Sequence, residues 1–221
     1  MKLISINIRK KHMVGLEIEP EPELESAPRD AAGLIAIDLD LYLDLGLKEG
    51  MEISLSELLE ILEESEYRRA RARALWNLSA KEYPEKELYL KLKKEFSDSA
   101  ANRVIENLKE LDILNDRRYA EMYARRLIEI KKTPPSVAPY LMAEKGIDKD
   151  LAKEVVDARG DDPREMIKEM IEKKYLKELA QNGGRDKTIA RLSRKGFKIG
   201  DIRAVLNELR ISENDGEDYG C

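Results

Sequence analysis

Lysines and arginines recur at helical spacing along the last two thirds of this 221-residue chain, and they are its clearest candidates for chemistry. Arg69 and Arg73 stand four residues apart and share a helix face. Arg118 and Arg125 share another face two turns apart, with Arg117 beside the first. The stretch RDKTIARLSRKGFKIGDIR gathers Arg185, Lys187, Arg191, Arg194, Lys195 and Lys198, and sets seven cations against two aspartates. Rows of this kind suit phosphates or an acidic groove on another protein, although plain solvation of helices by Lys and Glu produces similar runs. Tyr67, Tyr119, Tyr123 and Tyr140 lie in the same helical pattern and fit either stacking on bases or packing between helices. Trp76, between Leu75 and Leu78, reads as core at a helix junction. Gly183-Gly184-Arg185 precedes a helix and would either hold phosphate on free N–H groups or simply cap and turn the chain. It lacks the Lys-Ser/Thr of a P-loop.

Catalytic chemistry has little to work with. The chain has one histidine, His12, and one cysteine, Cys221. Those two counts exclude an internal disulfide, a Cys/His zinc site, thiol proteolysis and histidine-dependent hydrolysis. No H-E-x-x-H, G-x-S-x-G or kinase motif occurs, so no catalytic residue, cofactor or metal is assigned. Asp38, Asp40 and Asp44 alternate with apolar residues, which is the pattern of a solvated strand face; a hard-cation loop would need a glycine and a glutamate that are absent here.

The charges divide the chain. Residues 1–64 hold 6 Lys/Arg and 15 Asp/Glu, a net of −9, while residues 65–211 carry +8; four more acids follow in the last ten residues. Charged residues make up 38% and aromatics 5%, the composition of a soluble helical protein with Leu, Ile, Met and Ala cores. No secretory leader and no run of 18 apolar residues is evident, so a cytoplasmic location without membrane contact is expected.

These side chains must be positioned by helices. Residues 1–18 alternate as two strands with a turn near Lys11–His12, and residues 19–33, with three prolines and five acids, read as a mobile insert. Ile35, Ile37, Leu39 and Leu41 suggest a further strand. Beyond Ser54 the period becomes helical, with Ser54 or Ser56 as cap, and nine helices are expected up to residue 210. They repeat in threes. Phe96, Ile147 and Phe197 coincide at offsets of 51 and 50 residues, each followed by an apolar pair at Val104-Ile105, Val155-Val156 and Val205-Leu206. The domains expected are thus an acidic N-terminal extension, 1–64; helical repeats at 65–111, 112–160 and 161–211; and a flexible acidic tail, 212–221. Stacked repeats bury faces that one unit alone would leave exposed. Gly146 and Gly196 punctuate the second and third units, and Glu95 replaces that glycine in the first, in a loop one residue shorter.

The block Leu114-Asn115-Asp116-Arg117-Arg118-Tyr119-Ala120, with the turns Lys145-Gly146-Ile147 and Lys195-Gly196-Phe197, resembles the RecX family of bacterial regulatory proteins. The resemblance covers about Glu66 to Leu209. It implies a mainly α fold, with three tandem three-helix repeats in an elongated curved body and a small strand-containing N-terminal extension. It also implies a non-enzymatic monomer that binds the RecA recombinase filament on single-stranded DNA and restrains its ATP hydrolysis, strand exchange and the DNA-damage response, with weak or indirect contact to the DNA. The cations named above are the candidate contacts; Tyr119 and the repeat anchors are structural. A helical nucleic-acid-binding module independent of RecA and a helical protein-interaction scaffold are the competing readings. The family usually carries cations in the helix after the proline break, where this chain has Ser136-Val137-Ala138.

Overall fold

Alternation of Ile, Val and Leu at the start of the chain builds a three-stranded antiparallel sheet in the order β1 (Leu3–Arg9), β2 (Met13–Ile18) and β3 (Ile35–Asp38). Arg9 pairs with Met13, His12 before it takes a left-handed conformation, and Leu16 pairs with Ile35. The computed structural model describes residues 1–9, 12–19, 34–181 and 183–214. The insert expected at 19–33 lies outside them apart from Glu19, and so does the tail after Asn214.

The third strand is shorter than its alternation predicts. Leu39 and Leu41 belong to helix α1 (Leu39–Leu45), because the Asp38 carboxylate accepts a hydrogen bond from the Leu41 N–H at 3.1 Å and caps it. Asp38 is therefore a helix cap, and Asp44 an ion-pair partner of Arg68 at 2.7 Å, rather than members of one strand face.

Helix α2 (Leu55–Ala80) starts in a reciprocal cap: the Glu57 N–H donates to the Ser54 hydroxyl, and the Ser54 N–H donates to the Glu57 carboxylate. It passes residue 64 without interruption, so one helix beginning at Leu55 runs across the boundary expected between the extension 1–64 and the first repeat. Leu58 lies in the core beneath the sheet with Leu3, Leu16, Ile35 and Ile37, all essentially inaccessible. At the other end Ala70 and Ala74 face Ala100, Ala101 and Val104 of α4 in a separate core. Small side chains on both faces let the two helices approach closely.

Three helices then recur. After α2 come α3 (Glu85–Leu92) and α4 (Asp98–Glu110). Next are α5 (Asp116–Arg125), which continues through a π turn at Arg126–Ile130, then α6 (Ala138–Glu144) and α7 (Lys149–Arg159). The last set is α8 (Pro163–Met170), extended by a π turn at Ile171–Tyr175 and by α9 (Leu176–Leu179), then α10 (Gly184–Arg194) and α11 (Ile199–Asn214). Helix α11 thus extends into the predicted tail as far as Asn214. Leu92, Met142 and Leu192 occupy matching sites and are fully buried, as are Ala101, Ala152 and Ile202. The anchors Phe96, Ile147 and Phe197 each sit two residues before the third helix.

The turns at those anchors differ as their lengths require. The Ile147 N–H donates to the Met142 carbonyl and the Phe197 N–H to the Leu192 carbonyl, with Gly146 and Gly196 between them at φ +96° and +98°. In the shorter first turn the Phe96 N–H reaches Leu92 four residues back, and Phe96 stays half-buried. By Cα proximity the chain forms two units, Met1–Leu114 and Asn115–Cys221. The second has a single core that runs from Tyr119 to Leu206. Among the described residues no helix is long and apolar enough to cross a membrane.

Asn115 caps α5 by accepting from the Arg118 N–H at 3.0 Å. Asn115→Ala should lower unfolding stability by about 1 kcal/mol. An unchanged urea midpoint would mean that the cap contributes nothing.

Candidate functional site

Each predicted cation has its own setting. In the first unit, Arg69 is half-buried, and its guanidinium donates to the Ser65 carbonyl at 3.4 Å. Arg73 is held by Glu95 at 2.7 Å and lies 5.6 Å from the centre of the Trp76 ring. Glu95, the residue in place of the turn glycine, therefore neutralises one of the two cations expected to act together. Trp76 is 65% exposed and is not core. The buried stripe of α2 runs through Ala70, Ala74 and Asn77, and Trp76 lies off it, on the face of Arg69 and Arg73. That 69, 73, 76 spacing was the signal in the sequence.

In the second unit, Arg117 pairs with Glu154 at 2.9 Å, and Arg118 gives its N–H to the Asn115 cap. Arg125 is exposed. Arg185 donates to the Asn207 side chain at 2.6 Å, Arg191 pairs with Glu178 at 2.9 Å, and Arg194 reaches back to the Ala190 carbonyl. Lys187, Lys195 and Lys198 are exposed, and none makes a side-chain hydrogen bond or ion pair among the described residues. Lys187, Arg191 and Lys195 follow one face of α10.

The α10–α11 turn sets two of these lysines beside another helix start. A Cβ on Gly196 would stand 2.4 Å from Val137 Cγ2 and 3.8 Å from Pro134 Cγ, so the turn lies directly on the entry to α6. Lys195 and Lys198 flank that contact. The entry to α6 has no cation in its own Ser136-Val137-Ala138, and the third repeat supplies two. Tyr140, one turn further along α6, is 74% exposed. The other tyrosines are engaged: Tyr119 and Tyr123 stack at 5.9 Å, and the Arg103 guanidinium lies 3.9 Å over Tyr67.

The glycine pair is no phosphate cradle. A Cβ on Gly184 would come within 1.8 Å of the Glu178 carbonyl oxygen, so a backbone acceptor already faces the start of α10.

Beside the first π turn, a cleft of about 420 Å³ collects Glu129, Lys132, Arg159, Asp161, Glu165 and Glu169. Arg159 reaches Asp161 at 2.8 Å and Glu129 at 3.0 Å. Glu169 receives Lys132 at 2.6 Å and Lys173 at 2.5 Å. Those two ammonium groups, Lys132 first, hold the Glu169 carboxyl well below the usual carboxylate range, at about 2. Such a group cannot serve as a general acid near neutrality. Because its folded pKa is depressed, its contribution to stability is complete above about pH 5 and disappears as pH falls toward 2. Glu169→Gln should therefore flatten the decline of the urea midpoint between those limits, and parallel declines would exclude this linkage. Among the described residues no group of three or more His, Cys, Asp or Glu is arranged to hold a metal.

Comparison with known proteins agrees with this geometry. The family model for the second three-helix domain of RecX matches residues 115–156, which span α5, α6 and most of α7. The chain is 32% identical over 178 residues to the regulatory protein RecX of Clostridium acetobutylicum, covering 77% of this chain and 82% of that one. It is 33% identical over 189 residues to that of Bacillus velezensis, with 82% and 70% covered. A crystal structure of a regulatory protein RecX shares the fold at a TM-score of 0.65 and 17% identity, covering 93% of this chain and 98% of the other. RecX from Lactobacillus salivarius superposes at 0.59 with 25% identity, over 66% and 97%. RecX proteins are regulators and not enzymes. With relatives above 30% identity matched over most of their length, and with the same mainly helical fold behind a small antiparallel sheet, this chain belongs to the RecX family of regulatory proteins.

Proposed function

We propose that this protein binds the RecA filament on single-stranded DNA and restrains its ATP hydrolysis and strand exchange, within recombination and DNA repair. The observation that carries this reading is the cationic edge of the second unit. Lys187, Lys195 and Lys198 are exposed and make no side-chain hydrogen bond or ion pair among the described residues, and two of them flank the turn that lies on the entry to α6. Exposed ammonium groups on a rigid helical support attract a polyanion or an acidic groove. With few free cations, affinity for naked DNA is modest and falls steeply with salt.

The test is filament dependence. Purified protein should inhibit RecA ATP hydrolysis on single-stranded DNA at substoichiometric ratios, while binding naked DNA weakly by fluorescence anisotropy. Tight, salt-insensitive binding to naked DNA, with no effect on RecA, would overturn the proposal and favour an independent nucleic-acid module. In that case Tyr140, as an exposed aromatic on α6, would be the first residue to examine.

A further inference from the structure

The first unit contains an apolar cleft of about 360 Å³ between α1, residues 47–53 and the first turns of α2. Its floor is Leu41, Leu47 and Ile53, all buried. Its mouth holds Leu45 and Met51, which are 43% and 40% exposed although both are large apolar side chains. Glu52, Glu57, Glu60 and Glu64 form the rim.

Two of those acids are already engaged. Glu57 closes the cap with Ser54, and Glu64 receives Arg68 at 3.2 Å and Arg103 at 2.8 Å. Glu52 and Glu60 are exposed and make no side-chain hydrogen bond or ion pair among the described residues. An apolar floor edged by unpaired negative charge selects an occupant with the opposite pattern.

Charge decides among the occupants. Residues 20–33 carry four acids and one arginine, and residues 215–221 carry three acids and no cation, so the rim repels both of these segments of the chain. Nucleic acid and anionic lipid are repelled for the same reason. We infer that this cleft docks a short basic amphipathic segment of a partner protein, with two apolar side chains entering between Leu45 and Met51 and with Lys or Arg meeting Glu52 and Glu60. A helical segment would present those groups at i, i+3, i+4 and i+7. The inference stands on the acidic N-terminal unit and is independent of the RecA reading, which rests on cations elsewhere.

The experiment is a selection of random 12-residue peptides on the full-length protein, run in parallel on Glu52→Lys/Glu60→Lys. Neither rim side chain has a hydrogen-bond or ion-pair partner among the described residues, so the double variant should keep its circular dichroism and thermal midpoint; Leu45→Ser serves as a second variant if it does not. Expected is enrichment of peptides that combine Lys or Arg with Leu, Ile, Phe or Trp. A synthetic representative should bind the double variant about tenfold more weakly, and should shift the ¹³C-methyl resonance of Met51 in the wild type. Absence of enrichment, enrichment of acidic peptides, equal affinity for both proteins, or an unmoved Met51 methyl would each overturn the inference. A dimer in sedimentation that dissociates in the double variant would also overturn it, since a second copy would then fill the cleft.

Discussion

Replacing Lys187, Lys195 and Lys198 together with alanine is expected to raise the concentration needed for half-inhibition of DNA-stimulated ATP hydrolysis by RecA about tenfold at low salt, since three exposed contacts worth about 0.5 kcal/mol each amount to one decade. The variant should also respond less to added salt, because fewer counterions are released on binding. The choice of residues follows from their partners. Arg185 and Arg191 share the segment, but their guanidinium groups are occupied by Asn207 and Glu178. Removing either would mix a loss of attraction with a loss of packing. Arg73→Ala is the contrast, since Glu95 already neutralises that charge, and inhibition should change less than twofold. Circular dichroism confirms that each variant is folded. Equal inhibition by the triple variant and the wild type at both salt levels would remove the α10–α11 edge from the interface and leave the Asn115 to Ala120 block as the better candidate.

The second large effect is structural. Gly184→Ala should destabilise the second unit by about 3 kcal/mol, a substantial share of the 5–15 kcal/mol typical of a folded domain. Its new Cβ would meet the Glu178 carbonyl oxygen at 1.8 Å, and a backbone atom cannot swing aside as a side-chain tip can. Gly183→Ala is the internal control. Gly183 adopts φ +72° with open space around it, so alanine there incurs only the left-handed backbone penalty of about 1 kcal/mol. Similar small shifts of the urea midpoint for both variants would show that the start of α10 and the end of α9 separate easily.

Much of this architecture was legible before any coordinate. The repeat showed in the spacing of Phe96, Ile147 and Phe197, because positions that meet the same neighbours need the same residue class. The one-residue deletion in the Glu95 loop was equally visible, and it alters the closure of that turn, since a deleted residue changes which carbonyl an N–H can reach. Strand alternation at Leu39 and Leu41 misled because two leucines at i and i+2 fit either period over so short a run, and the Asp38 cap decides for helix. Trp76 misled through its neighbours in sequence, which are not its neighbours across the helix. The π turns at Arg126–Ile130 and Ile171–Tyr175 left no local mark, as they depend on how the bent helices pack. The state of each candidate cation was equally hidden. Whether Arg73 is free depends on Glu95, twenty-two residues away, and such pairings appear only once the chain is folded.

Helix α2 behaves as a torsion shaft. Its first turns carry Leu58 into the core under the sheet, and its last turns carry Ala70 and Ala74 against α4. One residue added between Leu62 and Ala70 would rotate one end by about 100° against the other and advance it by about 1.5 Å, which would turn either the leucines or the alanines out of their core. Seven residues, near two whole turns, is the shortest insertion that returns both faces to within about 20° of register. The two halves of the first unit are thereby geared together: α2 tolerates changes of length only near whole numbers of turns, whereas the four residues after it, Lys81 to Pro84, carry no such phase.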